Sequence, residues 1–180
     1  AFDPHLELEF SKPSDSYTMT DVAALKDNQI HLEVGRDVGI DFTELTSEEL
    51  ASLLEFSGEM TQPMRQAVIA LHEEKEGLIR FKNKVKVLKR AMEKQDKPAH
   101  ERENLTPEEQ DIYKKYTGSV AGLATIQAIS WRLEGVEQTG VFVGNTKPVE
   151  KGLLERKMVV LRGTQRMLEM VASYVIRKCY

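Results

Sequence analysis

The sequence is poor in cysteine and in aromatic residues, and it contains no long apolar run. Cys179 is the single cysteine of the 180 residues, which excludes an intramolecular disulfide. This composition fits a reducing compartment such as the cytoplasm, and a cysteine-poor secreted protein has it as well. No stretch of about 18 consecutive apolar residues is present, so the sequence predicts no membrane-spanning helix. Aromatic residues make up 7% of the chain and charged residues 30%, a balance that favours long, solvent-exposed helices over a β-sandwich.

The beginning of the chain lacks an initiator methionine, and it lacks the basic flank and apolar core of a secretory signal. We therefore expect a processed or partial chain. Met19 is an alternative start, and residues 1–18 are either native or appended.

Charge is distributed unevenly along the chain. Residues 1–79 contain 17 acidic and 5 basic residues, whereas residues 80–97 contain 2 acidic and 8 basic residues. Residues 98–180 are nearly balanced, and the net charge of the whole chain is −4. An acidic front and a basic middle can attract each other within one chain or between copies of the chain.

Alternating apolar and polar residues predict extended structure in residues 1–45. The alternation covers residues 5–10, 30–34 and 38–42, and three residues that include Gly35 join the last two runs. Two alternating runs with such a connection predict a small β-hairpin. The polar residues before the hairpin predict an extended N-terminal arm.

Apolar residues at helical spacing predict one short and three long amphipathic helices after residue 45. The short helix begins at Thr46 or Ser47, Glu49 lies three residues past Thr46 as a capping box requires, and the helix ends before Gly58. The long helices are predicted over residues 63–97, 107–134 and 148–180.

Two of the long helices carry distinctive signals. The first has a heptad-like seam typical of a coiled coil, in which Lys75 fills one of the apolar positions. The second opens with a Thr106 cap, followed by Pro107 at the first helical position and by Glu109, which can reach back to the cap. After it, residues 141–143 are apolar and lie between glycines, so we expect them to enter the core or to pair with an N-terminal strand.

The sequence therefore predicts a mainly α protein: a bundle of three long amphipathic helices plus a short helix, with a small N-terminal β-hairpin and an extended arm. The expected division places the arm and hairpin at residues 1–45 and the helical bundle at residues 46–180. The apolar stripes are wider than one seam, which indicates that the bundle also buries a face against another subunit.

Motifs for catalysis and for cofactor binding are sparse. The sequence lacks a phosphate-binding Gly-Lys-Ser/Thr loop and a dinucleotide-binding glycine pattern. Residues 118–122 resemble a nucleophile elbow only loosely, because the glycine two positions before Ser119 is absent. His72 and Glu76 share a helical face, but two ligands do not make a metal site, and we expect His72 on the surface or in a groove. We predict a protein that is not an enzyme and binds no cofactor or metal, while an unrecognised carboxylate or metal site stays open as an alternative.

Eight basic residues form a ridge on the helix predicted at residues 63–97. The four that cluster on one side of this helix are Lys82, Lys86, Lys89 and Arg90. Such a cluster suits an acidic partner or the phosphates of a nucleic acid, and the simplest alternative is a solvated helix face.

These features predict a non-enzymatic structural or adaptor protein that assembles through helix faces into an oligomer or a larger complex. The alternative is a nucleic-acid-binding accessory protein that uses the basic ridge at residues 80–97. We expect protein partners, including copies of the same chain, and no small-molecule substrate. The expected location is the cytoplasm.

Overall fold

The computed structural model describes residues 2–3, 27–100 and 103–179. The described residues are mainly helical and include a small parallel sheet. None of their helices is both long enough and apolar enough to cross a membrane.

Contacts divide the chain into two compact units. One unit combines the two ends of the chain, Ala1–Asp41 and Thr139–Tyr180, and the other is the continuous segment Phe42–Gln138. The strand predicted at residues 5–10 and most of the predicted arm lie outside the described residues. The division expected at residue 45 stays a prediction.

The described part of the continuous unit, which we call the helical unit, contains five α-helices. They are α1 (Ser47–Glu55), α2 (Gln62–Leu71), α3 (Leu78–Asp96), α4 (Pro107–Tyr116) and α5 (Leu123–Glu137). Short 3-10 turns lie at Phe42–Glu44 and Thr117–Ser119. The long helix α3 packs against α4 and α5, and α5 also packs against α1 and α2.

Both predicted capping boxes are confirmed. The side chain of Thr46 accepts a hydrogen bond from the N–H of Glu49, and the Glu49 carboxylate accepts one from the N–H of Thr46. Thr106 and Glu109 form the same reciprocal pair at the start of α4, where Pro107 follows the cap. These bonds satisfy N–H groups that have no partner inside the helix, and so they fix where α1 and α4 begin.

The apolar seam of α3 forms the centre of the helical unit. Phe81, Val85 and Leu88 are buried, as the helical spacing predicted. Tyr116 of α4 and Ile126 of α5 are buried in the two helices that pack on α3. The apolar side of α3 therefore faces the interior of the unit.

The helix predicted at residues 63–97 is in fact two helices, α2 and α3, separated by residues 72–77. The backbone of His72 is extended, with φ −77° and ψ 130°, and Lys75 has a left-handed φ of 60°. Gly77 then caps the start of α3. Because Lys75 interrupts the apolar seam, burial does little to hold this stretch in a helix, and the break falls there.

The helix predicted at residues 107–134 is also interrupted. Residues 117–122 form a 3-10 turn and an extended stretch between α4 and α5. Gly122 has a φ of 152°, which glycine adopts far more readily than other residues. Gly118 and Gly122 would each weaken a continuous helix by about 1 kcal/mol relative to alanine.

The unit made of the two chain ends contains a parallel sheet. Its strands lie in the order β1 (Phe2–Asp3), β3 (Met158–Arg162) and β2 (Gln29–Glu33), and β2 pairs with β3 over five residues. The described residues of this unit include the helices α6 (Lys147–Leu154) and α7 (Gln165–Cys179). Helix α6 packs against β2, β3 and α7.

The helix predicted at residues 148–180 therefore contains a strand. Helix α6 ends just before Arg156, whose left-handed φ of 56° turns the chain, and the next residues extend into β3. Val159 and Val160 are buried in this strand. A short apolar run rich in β-branched residues fits a buried parallel strand as well as a helix, and the period alone does not separate the two.

The predicted N-terminal hairpin is not found among the described residues. Its first run pairs in parallel with β3, a five-residue partner whose three central residues are buried, whereas an isolated hairpin is marginally stable. After the turn, the N–H of Ile40 donates to the carbonyl of Val141 at 2.7 Å. The prediction that residues 141–143 enter the core or pair with an N-terminal strand holds in part: Val141 is buried, whereas Val143 is 40% exposed and Ile40 lies outside the strands.

Gly39 is expected to be essential to this contact. A Cβ there would overlap with the carbonyl oxygen of Val141 and with a methyl group of Val143. Because the backbone would have to move, Gly39→Ala should lower the free energy of unfolding by about 1 to 3 kcal/mol, the range typical of overpacking. Urea unfolding followed by circular dichroism measures this loss.

Gly118→Ala is the matched control, since a Cβ at Gly118 meets nothing within 4 Å. It should leave stability unchanged or raise it by up to about 1 kcal/mol. Equal midpoints for the two variants would contradict the close approach at Gly39.

Candidate interaction groove and buried ion-pair cluster

The basic ridge lies on α3 and the residue after it, and the structure divides its eight cations into two groups. The six that contact carboxylates are Arg80, Lys82, Lys84, Arg90, Lys94 and Lys97. Lys86 and Lys89 have no ion pair or side-chain hydrogen bond within the described part of the chain. Most of the charge of the ridge is therefore compensated inside the helical unit.

Two of the four candidate residues belong to the compensated group. The ammonium of Lys82 lies 2.6 and 2.8 Å from the carboxylate oxygens of Glu137 on α5. The Nε of Arg90 lies 3.9 Å from a carboxylate oxygen of Glu109. Lys94 approaches the same carboxylate at 2.7 Å, and its hydrogen bond is the main reason why the pKa of Glu109 is lowered.

The other two candidate residues line a groove between α3 and α5 with a volume of about 850 Å³. The residues that define its character are Ile79, Val85, Lys86, Lys89, Leu133 and Glu134. Lys82 also lines the groove, whereas Arg90 does not. The structure thus brings together three of the four candidate residues.

The groove combines an apolar floor with a basic side. Val85 and Leu133 are buried, whereas Ile79 is 85% exposed. Lys86 is exposed and Lys89 is half-buried. An apolar contact beside two uncompensated positive charges suits an anionic partner that also carries an apolar side chain.

Lys84 differs from the other cations of the ridge because it is buried, with 7% of its surface exposed. Its ammonium donates to the carbonyl of Leu71 at 2.5 Å and lies 2.7 and 2.9 Å from the two carboxylate oxygens of Glu76. Glu76 is itself buried and accepts a hydrogen bond from the N–H of Glu73 at 2.7 Å. A buried ammonium needs such partners, because an unpaired charge in the interior is strongly unfavourable. Lys84 therefore joins the end of α2, the break at residues 72–77 and α3.

Glu73 connects the break to α4. Its carboxylate accepts hydrogen bonds from Lys115 Nζ at 2.7 Å and from the Tyr116 hydroxyl at 2.9 Å. These two bonds lower the pKa of Glu73 to about 2. The other carboxylate oxygen lies 3.1 Å from the guanidinium of Arg80, so the same ionised group also holds a cation that lines the groove.

His72 is buried among aromatic rings, so the surface or groove position expected from the sequence is wrong. The ring centroids of Phe42 and Phe81 lie 5.7 and 6.0 Å from that of its imidazole, and Nδ1 lies 3.1 Å from Ser47 Oγ. Nε2 is buried and makes no hydrogen bond within the described residues. Burial lowers the pKa of His72 and favours its neutral form.

The His72 and Glu76 pair does not have the geometry that one helical face would give it. The break after α2 separates the two residues, and the carboxylate of Glu76 is engaged by Lys84. Across residues 27–100 and 103–179, no group of three or more His, Cys, Asp or Glu side chains could hold a metal ion.

Two residues of the site were not among the candidates. Lys84 lies three residues after Phe81 and one before Val85, so it falls on the apolar stripe of α3, and that position was a signal for burial. Ile79 is an apolar residue next to the seam position Leu78, and its place off the seam was a signal for exposure.

Comparisons of this chain with models of protein families, with curated proteins and with solved structures found no match. No relative therefore suggests a function. The observations that bear on the function are the geometry of the groove and the ion pairs of Lys84 and Glu73.

Removal of the buried cation should destabilise the helical unit. Lys84→Met leaves the Glu76 carboxylate buried without its cation and the Leu71 carbonyl without its donor. Breaking a buried pair on one side costs about 3 to 5 kcal/mol, and we expect a loss of that size in the free energy of unfolding. Denaturant unfolding at constant pH measures it.

Two further variants control for the loss of a lysine. Lys86→Met removes an exposed ammonium and should change stability by less than about 0.5 kcal/mol. The double variant Lys84→Met, Glu76→Leu removes both buried charges and should recover most of the loss. A double variant no more stable than Lys84→Met alone would rule out the proposed pairing.

The lowered pKa of His72 predicts a pH dependence of stability. The unfolded chain binds a proton near the ordinary imidazole pKa of 6.5, whereas the folded chain binds it only at lower pH. The free energy of unfolding should therefore fall as the pH drops below about 6.5, with a slope of at most about 1.4 kcal/mol per pH unit for one proton. His72→Gln should reduce this slope in urea unfolding. A slope identical to that of the unchanged chain would refute the assignment.

Proposed function

We propose that this chain is a non-enzymatic adaptor that joins a larger complex by binding a partner protein in the groove between α3 and α5. The observation that carries the proposal is an exposed Ile79 in the same groove as the uncompensated Lys86 and Lys89. In protein interfaces, buried apolar side chains supply most of the affinity, while charges supply orientation and specificity.

A second exposed apolar side chain, on helix α5, supports a protein partner. Trp131 is 61% exposed and lies on α5, next to Ser130 and one helical turn before Glu134, which both line the groove. The guanidinium of Arg132 lies 5.6 Å from the Trp131 ring. Tryptophan and arginine are enriched at the energetic centres of protein interfaces, whereas a single exposed aliphatic residue would need no explanation.

The polar lining of the groove suits the binding of an anion more than catalysis. Among the described residues that line it are four cations together with Asn83, Ser130 and Glu134, and no imidazole or thiol. This set can hold a carboxylate or a phosphate group, and its hydroxyl, that of Ser130, contacts the exposed carboxylate of Glu134 at 3.3 Å rather than an imidazole. We therefore propose a binding role rather than an enzymatic one.

The nucleic-acid alternative has weaker support. It needs free cations that neutralise phosphates, and six of the eight cations of the ridge already contact carboxylates. Lys86 and Lys89 alone would displace about two counterions. Binding to nucleic acid would then be weak, and its affinity would change little with salt concentration. Capture of nucleic acid in place of protein is therefore the competing outcome of the experiment that tests the adaptor proposal.

Capture from an extract of the native cells tests the proposal. The immobilised full chain and its Ile79→Asp variant are exposed to the same extract with and without nuclease treatment. Bound proteins are identified by mass spectrometry, and bound nucleic acid is detected by staining. Proteins that need the groove should bind the unchanged chain and be lost with Ile79→Asp, because a carboxylate removes the apolar contact and repels an anionic partner.

Leu154→Asp is the matched control, since Leu154 on α6 is 85% exposed, the same fraction as Ile79, and does not line the groove. It should retain every groove-dependent partner. Identical sets of proteins with all three chains, or a catch of nucleic acid that disappears with nuclease, would overturn the adaptor proposal.

A further inference from the structure

We infer that the groove between α3 and α5 receives an acidic amphipathic helix of the partner protein. Its apolar side chain would contact Ile79, and its carboxylates would lie opposite Lys86 and Lys89. This assignment, which rests on the proposed function, specifies the chemistry that the partner presents.

The spacing of the three residues along α3 defines the pattern that the partner must match. Ile79 and Lys86 are seven residues apart and Lys86 and Lys89 are three apart, so all three lie on one side of the helix. At 1.5 Å per residue, the lysines lie about 10 and 15 Å along the helix axis from Ile79. A partner helix that runs alongside α3 can contact Ile79, Lys86 and Lys89 with three of its own residues. Those residues are separated by seven and then by three or four positions, so they also lie on one face of the partner helix.

A helix is the occupant that fits the shape of the groove. Two packed helices form its walls, and ridges of side chains on a third helix fit between them. Val85 and Leu133 form an apolar floor against which the anchor of such a helix can be buried. The volume of about 850 Å³ is large enough for several side chains.

The charge of the groove selects an acidic partner. The neighbouring cations have carboxylates of their own, since Lys82 is paired with Glu137 and Arg80 with Glu73. Lys86 and Lys89 have none within the described residues. A neutral apolar helix would cover these two ammonium groups without compensating them, whereas carboxylates opposite them form charge-assisted hydrogen bonds.

The side of α5 that faces the groove reduces this attraction without cancelling it, because Glu134 sets one negative charge against the two positive charges of Lys86 and Lys89. Its carboxylate Glu134 is exposed and lies 3.3 Å from the hydroxyl of Ser130, within hydrogen-bonding distance, and Glu137 is held by Lys82. The carboxylates of the partner are therefore expected on the α3 side of the groove.

Three synthetic helices of about five turns serve as probes for the full chain. The first carries leucine and glutamate on one face at the spacing given above, the second has glutamine in place of each glutamate, and the third has the composition of the first in scrambled order. Binding is followed by isothermal titration calorimetry.

The acidic probe should bind at least about tenfold more tightly than the glutamine probe and the scrambled probe, and its affinity should fall as salt is raised. The double variant Lys86→Gln, Lys89→Gln should lose this advantage. Lys114→Gln is the control, because Lys114 is an exposed lysine on α4 that does not line the groove and has no ion pair within the described residues. Circular dichroism verifies that each variant is folded.

Equal binding of the acidic and glutamine probes, or unchanged binding by the double lysine variant, would overturn the inference. So would preferential binding of a DNA or RNA duplex. Light scattering of the chain alone adds a further outcome: a dimer that the double lysine variant dissociates would identify a second copy of this chain as the occupant.

The two proposals fail in different ways. If the probes do not bind but Ile79→Asp still loses partners from the extract, the acidic chemistry is wrong and the adaptor role stands. If Ile79→Asp loses nothing, the adaptor role falls and the acidic helix falls with it.

Discussion

The burial of Lys84 is the constraint on which the helical unit depends. An ammonium in the core must keep partners, and Lys84 takes them from the carbonyl of Leu71 and the carboxylate of Glu76. In a continuous helix the Leu71 carbonyl would accept the N–H of Lys75. It is open to Lys84 because α2 ends at Leu71, so the buried charge and the break between α2 and α3 support each other.

The break at residues 72–77 also determines which side chains lie in the first turn of α3. Because α3 begins after Gly77, Ile79 and Arg80 lie in its first turn. Arg80 is held by Glu73 inside the break, and Glu73 is held by Lys115 of α4. Ion pairs within the helical unit therefore position the end of the groove at which Ile79 is exposed. The two uncompensated lysines lie two to three turns further along the same helix.

Features that depend on neighbouring residues could be predicted from the sequence. Thr46 and Thr106 cap their helices because each has a glutamate three residues later, and both capping boxes formed as predicted. The candidate lysines were found for the same local reason, since cations at steps of three and four share a helix face. Lys86 and Lys89 indeed lie in one groove on α3.

Features that depend on distant residues could not be predicted in this way. The run Met158–Arg162 is a strand because it pairs with β2, far earlier in the chain, and its own period fits a helix equally well. Similarly, Lys82 and Lys86 look alike in sequence, but a carboxylate 55 residues away neutralises Lys82. A cation of α3 is available to a partner only where the fold brings no acidic side chain opposite it. Under the proposed function, a partner would therefore meet not the total charge of α3 but the charge that the fold leaves uncompensated.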